Sequence, residues 1–435
     1  MTEIRITRCF LVIAISTILT AACSTLTDVD APDVLQPERF DNPAGALTLR
    51  AGAITRFTEA MANPTLEYGQ VGGSGLMSDE FTSTFLNRLS DRRSITTGVS
   101  EYPDQALHIA RVALRAAIPA MQKYVPTPSS RMAELFGLLA FTELFFGENM
   151  CSGIPLSDII EGTPVYGEQL TKTQLLERAI GDFDSAIVYA ADSARILNMA
   201  RVGRARALLN LGRFSDVTAG VAAVPTSFVY STQHSASVQQ NGLFVAQYSS
   251  RTLSVANNEG VNGLNFRTAN DPRVPTQLQG IGNDGVTQAF AFTRYNSATS
   301  PIPFVSGLEA RLMQAEVELR LNPANNQTTG TGWLGILNML RGTAITPALA
   351  PLEDPGTPES RVNLLFRERA FWLFGTGHRH GDLRRLVTQY GRGVETVFPT
   401  GPYRAGLFYG TSVVFVPNDR EQNNPNFNGC LDVNP

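Results

Sequence analysis

Residues 205–224 read ARALLNLGRFSDVTAGVAAV, and their reading decides the fold. Ala205, Leu208 and Leu209 belong to one face of a helix. Leu211-Gly212-Arg213-Phe214 then makes a tight turn, and Val217 to Val224 predicts a second helix of small residues. Upstream, Thr171 and Gln174 have the spacing of a capping box. Beyond them Leu175, Leu176, Ala179, Ile180, Phe183, Ala186, Ile187 and Ala190 form a wide apolar helical face. The segment is a series of antiparallel helices joined by short connections.

A small residue, a Leu-Gly pair, an aromatic and a second small-residue helix resemble the tetratricopeptide pattern. The glycine permits the turn, and the aromatic fills the gap between the paired helices. One well-formed unit and one weaker one are visible. Stacked units of this kind bury a continuous seam and present a concave flank.

Outward from this centre, helical periodicity recurs on both sides. Asp41-Asn42-Pro43 is a helix start, with Leu47, Ile54, Phe57 and Met61 following at helical spacing. Residues 63–100 are rich in Gly, Ser, Thr and Asn around Gly72-Gly73-Ser74-Gly75, which predicts a long flexible loop. From Pro103, Leu107, Ala110, Leu114, Ile118 and Met121 form a stripe that Pro126 and Pro128 end. A second stripe, Met132, Leu135, Leu139 and Phe146, stops at Gly147 and completes a hairpin. A loop, Glu148 to Leu170, holds Cys151. From Pro225 to about Pro303 the periodicity vanishes, and Leu243-Phe244-Val245-Ala246 predicts a strand within an insertion of loops. Helicity returns over Phe304–Leu321, Trp333–Arg341 and Pro358–Arg385, with Trp333 and Trp372 assigned to the core. Residues 391–435 are irregular, with Pro, Gly and aromatics prominent.

The N-terminus carries a different signal. Arg5 and Arg8 precede a short apolar run, Phe10 to Leu19, then Thr20, Ala21 and Ala22, then Cys23. A basic start, a short apolar stretch and small residues describe a secretory signal. A membrane span needs about 20 apolar residues, more than this run supplies. Cysteine directly after the cleavage point makes the segment resemble a bacterial lipoprotein signal, so Cys23 is expected to carry lipid. Two or more acyl chains give stable membrane attachment. Ser24 in place of Asp favours the outer membrane, by resemblance to lipoproteins generally, and Ser24 to Pro37 reads as an extended tether.

Composition sets further bounds. The 435 residues are 43% hydrophobic and 17% charged, which is globular. Net charge is -4, and cleavage before Cys23 removes Glu3, Arg5 and Arg8 to leave about -5. No basic tract appears, which argues against nucleic acid and against docking on anionic lipid. Cys9 leaves with the signal and Cys23 is committed to lipid. Cys151 and Cys430 remain as one pair in an exported chain, where disulfides persist. Geometry decides whether they bond, and the sequence leaves that open.

Few motifs point to chemistry. His378 and His380 sit at i and i+2, which do not share a helix face, and only Asp382 stands near them as a carboxylate. Gly72-Gly73-Ser74-Gly75 lacks the lysine of a phosphate loop. No Gly-x-Ser-x-Gly elbow appears and no carboxylate pair stands out. Glu368, Arg369, Arg379 and Asp382 are expected to form a structural ion-pair network that fixes how two helices meet. No catalytic residue, metal site or cofactor is assigned.

Several segments, in order, resemble the SusD/RagB family. Pro303-Phe304-Val305 with Glu309-Ala310-Arg311-Leu312-Met313-Gln314-Ala315-Glu316 is similar to one of its helices. Leu337-Asn338-Met339-Leu340-Arg341 is similar to the next. Arg367-Glu368-Arg369 through Arg379-His380-Gly381-Asp382-Leu383-Arg384-Arg385 resembles its arginine-rich segment. Val416-Pro417 and Asn423-Asn424-Pro425-Asn426 resemble its closing motif. The early Asn42-Pro43 helix, the Met77-Ser78-Asp79-Glu80 loop and Cys23 fall in the same order. Phe374 where the family usually has Glu, His380 in place of an aromatic, and a Glu309 helix without its leading Arg-Tyr mark a distant member.

The resemblance implies a mainly α fold. Tetratricopeptide-type hairpins would form a right-handed superhelical scaffold over 38–224 and 304–390. An irregular ligand-facing insertion over 225–303 and a tail over 391–435 would complete a single domain, behind a signal at 1–22 and a lipidated tether at 23–37. It also implies four helix pairs facing a transporter, and no chemistry. The expected protein is an outer-membrane lipoprotein that binds an oligosaccharide or peptide and acts as the lid of a TonB-dependent barrel of the SusC type. Candidate ligand residues are the loop aromatics Tyr68, Phe85, Tyr102, Tyr230, Tyr248 and Tyr295, with Asn257, Asn258 and Asn265 as polar partners. The alternatives are a tetratricopeptide-like assembly scaffold that binds no sugar, and a lipoprotein glycoside hydrolase.

Overall fold

Asn42 opens the first helix by accepting a hydrogen bond from the Gly45 N–H at 2.9 Å, with Pro43 in the first turn. A side-chain cap of this kind contributes about 1 kcal/mol. The computed structural model describes residues 40–63, 69–85, 88–95, 104–160, 162–417 and 419–435. Cys23, the signal and the tether lie outside these residues, as do Tyr68 and Tyr102.

The described chain is mainly helical. Its helices of eight or more residues are α1 (Pro43–Met61), α2 (Gly69–Met77), α3 (Asp104–Tyr124), α4 (Ser130–Asn149), α5 (Lys172–Tyr189), α6 (Ala194–Asn210), α7 (Phe214–Val221), α8 (Gly307–Leu321), α9 (Trp333–Thr343), α10 (Pro358–Trp372) and α11 (Arg379–Thr388). The expected capping box opens α5, with Thr171 and Gln174 each satisfying the other's backbone N–H. Leu107, Ala110, Leu114, Ile118 and Met121 of α3 are all buried, as their spacing requires. Gly212, at φ 72°, turns the chain from α6 into α7.

The helices pack as four pairs, α1 with α3, α4 with α5, α6 with α7, and α8 with α9, and each pair packs on the next. Burying α4 on almost every side makes it the axis of the stack. Phe304 ties the stack to the segment after α7. It lies 5.3 Å from Phe57 of α1, 5.1 Å from Phe141 of α4 and 5.5 Å from Tyr230, all ring centre to ring centre.

Strands are short, and among the described residues they pair only two at a time, all antiparallel. They include β1 (Phe81–Ser83) with β2 (Leu253–Val255), β3 (Thr276–Ile281) with β4 (Gln288–Phe292), and β5 (Ile302–Ser306) with Val229–Thr232. Cys151 and Cys430 are bonded, with Cα atoms 5.8 Å apart, so the tail is fastened to the end of α4.

Four expectations are corrected. The glycine-rich centre of 63–100 is the wholly buried helix α2, not a loop. Its small residues admit close neighbours: a Cβ on Gly75 would stand 2.4 Å from the Phe81 ring. Leu243–Ala246 is helical, because Asn241 caps it by accepting from the Phe244 N–H at 3.0 Å. Phe304 and Val305 end a strand, and Ser306 caps α8 after them. Pro358–Arg385 is two helices, since Gly375 and Gly377 both take positive φ in the turn between them.

The charged network also differs from expectation. Arg369 does pair with Asp382 through two bonds of 2.8 and 2.9 Å. Arg385 joins Asp382 at 2.7 Å and also bonds Glu316 of α8. Glu368, however, points the other way and pairs with Arg273 and Arg341. Arg379 pairs with Asp79. Neighbouring positions on a helix face different directions, so one predicted network is three.

Candidate ligand-binding face

Residues 81–85 with 88–95, 251–259 with 276–292, and 399–412 converge on one surface beyond the helix stack. Thr84 ties the first two together. Its N–H donates to the Thr252 carbonyl at 2.9 Å, and its hydroxyl donates to the Arg251 carbonyl at 2.8 Å and accepts from the Asn283 N–H at 3.0 Å. Arg93 ties in the third. Its guanidinium is buried, donates to the carbonyls of Ser412 at 3.0 Å and Pro399 at 2.5 Å, and lies over the Phe398 ring.

The tail closes this surface with a small hairpin. The Tyr403 N–H donates to the Leu407 carbonyl at 2.8 Å, and the Gly410 N–H donates to the Arg92 carbonyl at 2.7 Å. Ala405 sits at φ 52° in its turn, a conformation that disfavours side chains. The hairpin presents Phe408, which is 65% exposed, beside half-buried Tyr403 and Tyr409. The two tyrosine rings meet edge to face at 5.1 Å. Such pairs hold each other in one orientation.

Asp91 is the polar centre beneath these rings. One of its oxygens accepts from the Ser83 N–H at 2.8 Å, the Tyr403 hydroxyl at 2.6 Å and the Arg404 guanidinium at 3.1 Å. Burial pushes the Asp91 carboxyl up to about 7, and the nearby Glu259 charge adds to this against the pull of Arg404. Glu259 accepts from the Tyr409 hydroxyl at 3.0 Å, and burial raises it as well. Arg404 also bonds the Ser83 carbonyl and the Thr287 hydroxyl, the latter at 3.2 Å. The result is a rigid base of polar groups under a rim of aromatic side chains and the exposed Asn283.

No protein-family profile matches the sequence, and no curated protein matches it. Solved structures do match, 64 chains in all. A SusD-like carbohydrate-binding protein from Bacteroides fragilis superposes with a TM-score of 0.64 at 15% identity, over 89% of this chain and 99% of that one. NanU of B. fragilis gives 0.65 at 11%, over 92% and 99%. Surface glycan-binding protein A of Bacteroides uniformis gives 0.62 at 12%, over 88% and 99%. The chain has the SusD-like fold. Among the described residues no helix is long and apolar enough to cross a membrane.

Within this SusD-like fold the residues singled out from the sequence have separate places. Phe85 is half-buried at the end of β1, two residues beyond the carbonyl that Arg404 holds. Tyr248 is half-buried and stacks on Phe244 at 5.4 Å. Tyr230 and Tyr295 are core residues, with their hydroxyls donated to Glu134 at 2.6 Å and to the Gly375 carbonyl at 2.7 Å. Neither has a ring face free for stacking. Asn257 accepts from the Arg267 and Thr268 N–H groups at 3.1 and 2.9 Å, and Asn265 accepts from Arg367 at 3.1 Å. Asn258 is exposed at φ 57°.

His378 and His380 are both buried. His378 lies 3.1 Å from Glu309 and 2.9 Å from Arg206. His380 has one ring nitrogen 2.9 Å from Asn149 and the other 2.9 Å from the Val413 carbonyl, and burial pulls it down to about 3. Sequence reasoning missed Tyr403, Arg404, Phe408 and Tyr409. The run GPYRAGLFYG at 401–410 carries three aromatics between glycines, and that density was the available signal.

Proposed function

We propose that this protein is an outer-membrane lipoprotein, anchored through Cys23, that binds an oligosaccharide on the face built around Asp91 and Arg404. It serves as the lid of a TonB-dependent SusC-type transporter and performs no chemistry on its ligand. The observation that carries this reading is the convergence of three sequence-distant segments on one aromatic and polar surface, held rigid beyond the helix stack. Aromatic faces stack on the C–H surfaces of sugar rings, and amide, hydroxyl and charged groups read the hydroxyls. The solved proteins of this fold described as carbohydrate-binding or glycan-binding support the ligand class.

The partner reading has its own support. Exposed Ile109 of α3 lines one apolar depression with Val112, Ala113, Ala116 and exposed Ile159. Contiguous apolar surface of this kind marks protein-interaction sites. The barrel is the partner this surface would meet. The test is titration of the purified protein against neutral oligosaccharides, with membrane extraction of the full-length chain in parallel. Saturable glycan binding and co-purification with a TonB-dependent barrel support the proposal. Release of shortened glycans would make it a hydrolase, and barrel association without sugar binding would make it a scaffold.

A further inference from the structure

A cavity of about 240 Å³ lies between α10, α11 and the segments around Asn262 and Thr396. Its lining includes three arginines, Arg367, Arg379 and Arg392. Two of them are already matched. Arg379 is buried and holds Asp79 through two bonds of 2.8 and 3.2 Å. Arg392 pairs with Glu359 and also bonds Asn363 at 3.2 Å.

Arg367 is different. Among the described residues no carboxylate forms an ion pair with it. Its neighbour Glu368 is occupied by Arg273 and Arg341, at 2.7 and 2.8 Å. Yet Arg367 is fixed in place: one nitrogen donates to Asn265 at 3.1 Å, and its guanidinium lies over the Phe371 ring at 4.7 Å. Partial burial lowers its pKa, while the charges of Glu368 and Asp271, both engaged by other arginines, pull the other way. A pre-positioned guanidinium with free N–H groups is suited to a planar carboxylate, which it can bind through two parallel bonds.

The rest of the lining narrows the ligand. Asn262, Asn363 and Thr396 offer amide and hydroxyl groups, and the Asn262 side-chain oxygen is buried with no hydrogen-bond partner among the described residues. That oxygen calls for a donor, such as a ligand hydroxyl. At about 240 Å³ the cavity is below the range of drug-sized sites and is of a size for one sugar unit. We propose that it binds one acidic monosaccharide unit of the hexuronate type, with the carboxylate on Arg367 and a hydroxyl on Asn262. Its lining shares none of Asp91, Tyr403, Arg404, Phe408 and Tyr409 with the aromatic face, so either can fail without the other.

Calorimetric titration of the lipid-free mature chain with D-galacturonate and D-glucuronate tests this, with the matching neutral hexoses, acetate and tri-alanine as comparisons. At least one uronate is expected to bind ten-fold or more tightly than its neutral hexose and than acetate. Arg367→Gln should abolish that preference, and Arg367→Lys should retain only part of it. Asn262→Ala should weaken uronate binding while leaving neutral-oligosaccharide binding at the Asp91 face unchanged. Equal affinity for neutral and acidic sugars, tighter binding of acetate or tri-alanine, or full uronate affinity in a folded Arg367→Gln protein would overturn the proposal. Circular dichroism confirms that the variants are folded.

Discussion

Arg379 and Asp79, 300 residues apart in sequence, are joined by two hydrogen bonds of 2.8 and 3.2 Å in a buried ion pair. The pair fastens α11 to the chain just after α2. Removing one partner of a buried pair leaves an uncompensated charge, at about 3–5 kcal/mol. Asp79→Asn should therefore lower the urea midpoint strongly, and Asp79→Asn with Arg379→Met should recover part of the loss. A double variant as unstable as the single one would show that the stranded charge is not the cause.

Glu80, next in sequence, gives a pH dependence. Burial pushes it up to about 8 despite the 3.1 Å bond it accepts from the Gly375 N–H. The folded protein thus holds this proton more tightly than the unfolded chain. Its contribution to stability is complete below the ordinary glutamate range and is lost as pH rises through about 8. Between those limits wild-type stability should fall relative to Glu80→Gln by about 1.4 kcal/mol per pH unit. Thermal unfolding of both proteins across that range checks it, and parallel curves would refute it.

The Cys151–Cys430 bond closes a loop of 279 residues. Long closed loops restrict the unfolded chain most, and native disulfides typically contribute about 2–5 kcal/mol. Cys430→Ser should lower the melting temperature and expose residues near 430 to protease first. Limited proteolysis followed by mass measurement reads both effects.

On the aromatic face, Phe408→Ala should weaken oligosaccharide binding about ten-fold, near 1.4 kcal/mol. Because Phe408 is 65% exposed, its removal should change stability by less than about 0.5 kcal/mol. Isothermal titration and thermal unfolding separate the two.

Tyr295 should behave in the opposite way. Tyr295→Phe removes the bond to the Gly375 carbonyl and strands that oxygen, so it should cost about 1–3 kcal/mol of stability. Ligand affinity should be unaltered, as the ring is fully buried.

These contrasts show what was legible in the sequence. The Asn42 cap, the Thr171–Gln174 box and the stripes of α3 to α5 were readable because a helix's apolar period and its caps are local properties. Helix α2 was not, because its glycine-rich composition signals a loop, while Phe81 and α11 close around it in three dimensions. Tyr295 lies in a polar segment and looked like a surface aromatic, yet that segment folds inward at this point. The face around Asp91 was hidden for a related reason. Nothing near Ser83 announces that residues 403–409 will return to it.

That return has a consequence for how the chain matures. Neighbouring helix pairs are joined mostly by short connections and can assemble early, whereas contacts of long sequence separation form slowly. Asp91 meets Tyr403 across 312 residues. The surface around Asp91 is therefore completed only as the last tenth of the polypeptide emerges. A copy terminated before residue 403 would carry the helix stack without the Tyr403 contact that completes the surface around Asp91.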